Sequence, residues 1–247
     1  MTFRGLVLDR TVPTDRRPPL WRELVVGLAV FAVYSVVAGL DWAGRTAGAD
    51  HHGRGLFALE RVLRLDVERP LNSWLSARPV LRVLANYEYA TTYVISAFAL
   101  LGWLWLHRPE VYRWARTSFI LVNLVSFGCF AMYPVTPPRL LGDLGFVDTV
   151  RLGHTWGSWG SPGVDHANQL AAMPSLHVAW ALWVSVVLAV ISSGRVVQVA
   201  GAAHVLITVL VIMATANHYL VDAIAAIPLV WLGVRLSGPL PTRSEAV

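Results

Sequence analysis

Residues 196–234 read VVQVAGAAHVLITVLVIMATANHYLVDAIAAIPLVWLGV, and the way this stretch divides decides the fold. Residues 196–221 hold no Asp, Glu, Lys or Arg. A helix needs about 20 largely apolar residues to cross the hydrocarbon core of a bilayer, so the first part fills one span. Residues 223–234 are too few for a second. They reach spanning length only if the helix starts near Asn217, which places His218 and Asp222 within the last helix. Four residues apart, the two would share a helical face. Ionisable groups inside membrane segments are costly and mark a functional site by default.

Working outward, residues 24–40, 89–106, 117–138 and 167–194 are also free of those four charged types. Of the 247 residues, 55% are hydrophobic and 14% charged, against about 25% charged in an ordinary soluble domain. The runs predict an all-α, polytopic membrane protein with six transmembrane helices at 21–41, 85–106, 115–134, 174–193, 196–215 and 217–236. No segment shows the period-2 alternation of a membrane barrel. Residues 55–78 carry Leu56, Leu59, Leu63, Val67, Leu71 and Leu75 at helical spacing, with Glu60, Arg61, Arg64 and Glu68 between them. That pattern predicts an amphipathic helix on the membrane surface, broken at Pro70. The organisation is then a basic tail at 1–20, a six-span domain at 21–236 with long loops at 42–84 and 135–173, and a tail at 237–247.

The net charge of +5 does not point to nucleic acid, because the arginines lie at span borders. Arg4, Arg10, Arg16, Arg17 and Arg22 precede span one. Arg108 to Arg116 separate spans two and three, Arg195 separates four and five, and Arg235 and Arg243 follow six. All fall on one side, which the positive-inside rule makes cytoplasmic. Both termini are expected there, in a plasma (inner) membrane, with 42–84 and 135–173 outside. Cys129, the sole cysteine, lies in span three and makes no intrachain disulfide.

Several residues at the outer boundary carry chemistry. In Met173-Pro174-Ser175-Leu176-His177 the proline suits the first turn of a helix. Such a start presents free N–H groups that attract phosphate, with Ser175 adding a hydroxyl and His177 one turn in. Asp222 beside His218 fixes a tautomer and leaves the other ring nitrogen free. Arg139 follows the rigid run Tyr133-Pro134-Val135-Thr136-Pro137-Pro138, and a guanidinium grips phosphate oxygens bidentately. Glu88, Asn217 and Tyr219 are candidate pocket residues. Asn86 and Asn123 are further intramembrane polar residues, His204 is expected to pack, and His154 and His166 are expected to be loop residues without metal-ligand spacing. Neither metal nor cofactor is expected.

Pro174-Ser175-Leu176-His177 resembles the PSxH motif of the type 2 phosphatidic acid phosphatase superfamily, and His218 to Asp222 resembles its HxxxD motif. The MPSLH block with an aromatic after the second histidine is closer to the inositol phosphorylceramide synthase and sphingomyelin synthase branch. The resemblance covers spans three to six. It implies a six-helix fold, a phosphohistidine on His218, orientation by Asp222, proton transfer by His177 and phosphate binding by Arg139, without metal. The phosphatase branch has a serine-arginine pair where this chain has Val211 and Ile212, and a lysine ahead of Arg139. This chain has no lysine at all. Fewer cations favour the transferase-like branch or a phosphodiester substrate.

The expected function is a membrane lipid phosphatase or phosphotransferase facing the extracytoplasmic side. Its substrate class is a phospholipid, phosphoinositide, ceramide-type lipid or polyprenyl phosphate, with water or a polyol or other alcohol as acceptor. Two other functions use the same residues: a lipid-phosphate binding or transport protein without turnover, and a b-type haem protein with His177 and His218 as axial ligands.

Overall fold

Apolar runs in lipid must satisfy their backbone groups internally, and helix is the local way to do so. The computed structural model describes residues 17–40, 44–155 and 168–241 and is helical throughout them, apart from turns and one bridge between Val135 and Ala171. The elements are α1 (Leu20–Ala38), α2 (Thr46–Leu63), α3 (Glu68–Ser76), α4 (Pro79–His107), α5 (Pro109–Met132), α6 (Thr149–Gly153), α7 (Leu176–Ile191), α8 (Arg195–Ala214) and α9 (Leu220–Leu236). Arg4, Arg10, Arg16, His166 and Arg243, and most of both expected tails, lie outside the described residues. Four helices, α1, α4, α5 and α8, are long and apolar enough to cross a membrane, and α7 is apolar but shorter. The chain is an all-α, polytopic membrane protein.

Proline opens α4 and α5 at their first positions, where a missing N–H leaves nothing unpaired. The core lies where α4, α5, α7, α8 and α9 meet. Trp183 Nε1 donates to Ser118 Oγ at 2.9 Å and Trp180 Nε1 to Asn123 Oδ1 at 3.2 Å, so buried polar groups tie α7 to α5. Gly233 lets α9 approach α5, since a Cβ there would stand 2.6 Å from Val122 Cγ2. His204 packs as expected, with Nε2 3.1 Å from Ser96 Oγ.

The surface segment expected at 55–78 is two helices, as a break within it implied, and it begins earlier. The break is not at Pro70 but at Arg64, which ends α2 in the left-handed conformation (φ 58°). Pro70 falls in the first turn of α3, where proline is tolerated. Nor does α2 only rest on a surface. Thr136 N donates to the Ala49 carbonyl (3.1 Å), Thr136 Oγ1 donates to Asp50 Oδ1 (2.5 Å), and Glu60 Oε1 accepts from Val221 N (2.7 Å). At Gly53 a Cβ would meet the Thr136 carbonyl at 2.5 Å and the Tyr219 hydroxyl at 2.8 Å. Helix α2 is thereby clamped over the proline run and the start of α9. Glu60 and Glu68 are both fully buried. Burial, then the hydrogen bond to Glu60, push the Glu68 carboxyl up to about 9. That direction favours a neutral Glu68 carboxyl at neutral pH, beside Glu60, whose Oε1 accepts from Val221 N of α9.

Candidate active site

The last turn of α8 closes with Ala216 N bonded to the Met213 carbonyl (2.9 Å) and Asn217 N to the Ile212 carbonyl (3.1 Å). This is a Schellman ending, which needs a left-handed residue and usually takes glycine. Here it is Ala216 (φ 55°). Its carbonyl accepts from Arg139 N at 2.8 Å, so the reversal after α8 is locked to the proline run after α5. The reversal delivers Asn217 and His218 outside either helix. Helix α9 starts only at Leu220, with Tyr219 as its N-cap.

His218 therefore precedes the helix expected to contain it. Its closeness to Asp222 does not come from a shared helical face. Asp222 is the third residue of α9 and reaches back to the cap: Oδ2 accepts from Tyr219 N at 2.9 Å and lies 3.3 Å from His218 Nδ1. The stronger partner of Nδ1 is the Ala172 carbonyl, at 2.8 Å. A carbonyl only accepts, so Nδ1 carries the hydrogen and Nε2 keeps a lone pair. No side-chain pattern announced the Ala172 carbonyl.

Ser175 caps α7, its Oγ accepting from Val178 N at 3.4 Å, and Ser175 N donates to the Asp222 carbonyl at 3.1 Å. The starts of α7 and α9 are thus joined by backbone. Pro174 stands before the cap, not in the first turn. His177, in that first turn, stacks on Tyr89 of α4 (ring centroids 4.1 Å, planes 16° apart) and touches Tyr93 at 4.0 Å. Its ring meets that of His218 edge to face at 5.5 Å. Tyr89 and Tyr93, one turn apart, escaped the sequence reading because they look like ordinary apolar-face residues.

Arg139 is buried, with Nε donating to Asn217 Oδ1 at 2.9 Å. Nη1 and Nη2 reach Asp148 Oδ2 and Gln169 Oε1, each at 3.4 Å. Burial draws the guanidinium down from its usual value, yet an arginine stays charged at neutral pH. The shortest of these contacts is at Nε, and the long contacts from the two outer nitrogens to Asp148 and Gln169 are ones that a phosphate can replace.

Arg139, Gln169, His177, Asn217 and His218 line one cavity of about 890 Å³. The structure thus brings together four residues picked out by sequence. Four others stand apart from the cavity wall: Asp222 is fully buried behind His218, and Ser175, Glu88 and Tyr219 also do not line it. Ser175 is fully buried at its cap, and Glu88 is half-buried on another face of α4. Tyr219 is buried behind the histidines, its hydroxyl donating to the Thr136 carbonyl at 2.9 Å. The arrangement offers a free imidazole nitrogen, a second imidazole beside it and a fixed cation, which suits attack on a phosphorus centre.

A family model described as the PAP2 superfamily matches residues 54–236. No curated protein and no solved structure matches the chain.

Proposed function

The chain belongs to the PAP2 superfamily, and on that premise we propose that it is a membrane lipid phosphatase or phosphotransferase working through a phosphohistidine. One observation carries the reading. His218 has its Nδ1 committed to the Ala172 carbonyl, and its ring lies 5.5 Å from that of His177 in a cavity that Arg139 also lines. In the first half-reaction His218 Nε2 forms a bond to phosphorus as the bond from phosphorus to the leaving oxygen breaks. His177 gives that oxygen a proton. Asp222 and the Ala172 carbonyl stabilise the positive charge gained by the ring. Arg139 holds the non-bridging oxygens, whose charge grows in the transition state. In the second half, water or an alcohol attacks phosphorus, gives its proton to His177 and frees Nε2.

The branch resembling inositol phosphorylceramide and sphingomyelin synthases is favoured by the single arginine at the site end of the cavity. Val211 is half-buried and Ile212 fully buried, and both pack in the apolar core. With one cation, a singly charged phosphodiester is better matched than a dianionic monoester. The haem alternative fits poorly, because edge-to-face imidazoles do not leave a slot for a macrocycle.

Turnover of a panel of lipid phosphates and phosphodiesters in nanodiscs, with excess EDTA and with or without a polyol acceptor, tests the reading. Product that forms despite EDTA is expected, and product that needs the acceptor makes it a transferase. Activity abolished by EDTA would sink the metal-free mechanism. Binding without turnover would support the transport alternative.

The same proposal sets the site on the extracytoplasmic face of the plasma membrane, with six spans and cytoplasmic termini. At the opposite end short connections carry Arg108 and Arg195, as the positive-inside rule favours. At the site end Arg54 and Arg139 are paired with Asp143 and Asp148. In a Cys129→Ser background, Ser73→Cys should label with an impermeant maleimide added outside intact cells, and Ser193→Cys only after lysis. The reverse pattern overturns the orientation.

A further inference from the structure

The first turn of α9 takes one of its hydrogen-bond acceptors from a distant helix. An N-cap Ser, Thr, Asp or Asn would accept from the second or third N–H of the helix it caps. The N-cap of α9 is Tyr219, whose hydroxyl donates to the Thr136 carbonyl. The second N–H, that of Val221, is met by Glu60 Oε1 at 2.7 Å. Glu60 sits on α2, 161 residues earlier, and is fully buried. A carboxylate suits that place, because the first turn of a helix carries a partial positive charge. Glu68 of α3 stands beside it, also fully buried, its carboxyl pushed up to about 9 by burial and then by Glu60. At neutral pH Glu68 therefore adds no second negative charge there.

The contact matters because of what the same turn carries. Val221 stands next to Asp222, whose Oδ2 accepts from Tyr219 N and lies 3.3 Å from His218 Nδ1. The other oxygen, Oδ1, is buried and meets no donor among the described residues. The aim of the carboxylate therefore depends on where the backbone of the turn is held. It is held from two sides: Glu60 takes Val221 N, and the Asp222 carbonyl accepts from Ser175 N at 3.1 Å. Helix α2 also grips the other half of the site. The Ala49 carbonyl and Asp50 Oδ1 both accept from Thr136, three residues before Arg139. We propose that Glu60 is a positioning residue for the nucleophile: it supplies from α2 an acceptor that the N-cap residue does not, and through the backbone of Val221 it sets where Asp222 meets His218. The proposal rests on the catalytic reading above for the role of His218. Reach, not charge, is what Glu60 contributes. A glutamine reaches as far, and its amide oxygen accepts the same bond. An aspartate keeps the charge but is one methylene too short.

The test compares Glu60→Asp and Glu60→Gln with the wild type, each as the full chain in nanodiscs, on a nitrophenyl phosphodiester of a lipid alcohol. With enzyme in saturating excess, the rate constant of nitrophenol release reports the attack on phosphorus and does not depend on the folded fraction. Glu60→Asp should lower that rate constant about 10- to 100-fold, on the order of the loss when a reacting group is displaced by an ångström. Glu60→Gln should retain most of it. In parallel, amide exchange in the peptide covering 219–222 should quicken in Glu60→Asp and stay at the wild-type rate in Glu60→Gln, with the rest of the chain unchanged in both. A loss in Glu60→Gln equal to or larger than that in Glu60→Asp overturns the proposal, because charge would then be what acts. Equal rate constants in all three proteins overturn it too, as does a Glu60→Asp chain that exchanges along its whole length, since Glu60 would then hold the fold and not the turn. No release by the wild type, with the exchange pattern as expected, overturns the catalytic reading and leaves Glu60 as the tether of α9.

Discussion

His218→Ala should reduce lipid phosphate turnover by at least about 10⁴-fold, because losing the nucleophile removes the covalent route itself. The structure argues that the loss is chemical. The ring's hydrogen bond at Nδ1 goes to a backbone carbonyl, and losing one such bond costs about 1 kcal/mol of stability. Thermal unfolding of the variant in detergent should therefore lie close to that of the wild type. Rapid acid-free quenching with phosphorus-labelled substrate should trap label on the wild-type protein and none on the variant. Substantial turnover by the variant, or label retained on it, would mean that another group attacks phosphorus.

His177→Ala should cost about 10²- to 10⁴-fold, the range for losing a general acid–base, and the loss should depend on the leaving group. An alkoxide must be protonated as it departs, whereas a nitrophenolate leaves without help. With a nitrophenyl phosphodiester the variant should release one equivalent of nitrophenol in a burst and then turn over slowly, because no base activates the acceptor in the second step. Natural lipid esters should show no burst. Equal losses for both leaving groups, without a burst, would make His177 a packing residue against Tyr89 and Tyr93 and not a proton carrier.

Much of the fold was legible in the sequence. Length and apolarity force helices on a chain that has to satisfy its own backbone in lipid, so helices occupy the core of every span expected between 21 and 236. Their boundaries were less legible. The last helix starts at Leu220, three residues after the expected start, because α8 ends in a left-handed turn at Ala216, a residue that does not advertise one. The break near the surface helix fell at Arg64 for the same reason, while Pro70 was absorbed by a first turn.

For the site, residue types alone selected Arg139, His177, His218 and Asp222, because imidazoles, carboxylates and guanidinium groups are too costly in a membrane protein's interior to be there without partners. The sequence by itself therefore determined the class of chain and the residues at stake. It could not choose among their neighbours. That His218 is oriented first by the Ala172 carbonyl, that Asp222 reaches it through a helix cap, and that Ser175 and Tyr219 turn away from the cavity are consequences of backbone meeting backbone across distant segments. Carbonyl and N–H groups are the same in every residue, so their pairing leaves no mark in the letters. The cavity behind the histidines arises likewise, from residues of α1, α4 and α5 that line it together. Only the tertiary structure fixes which residues share that space.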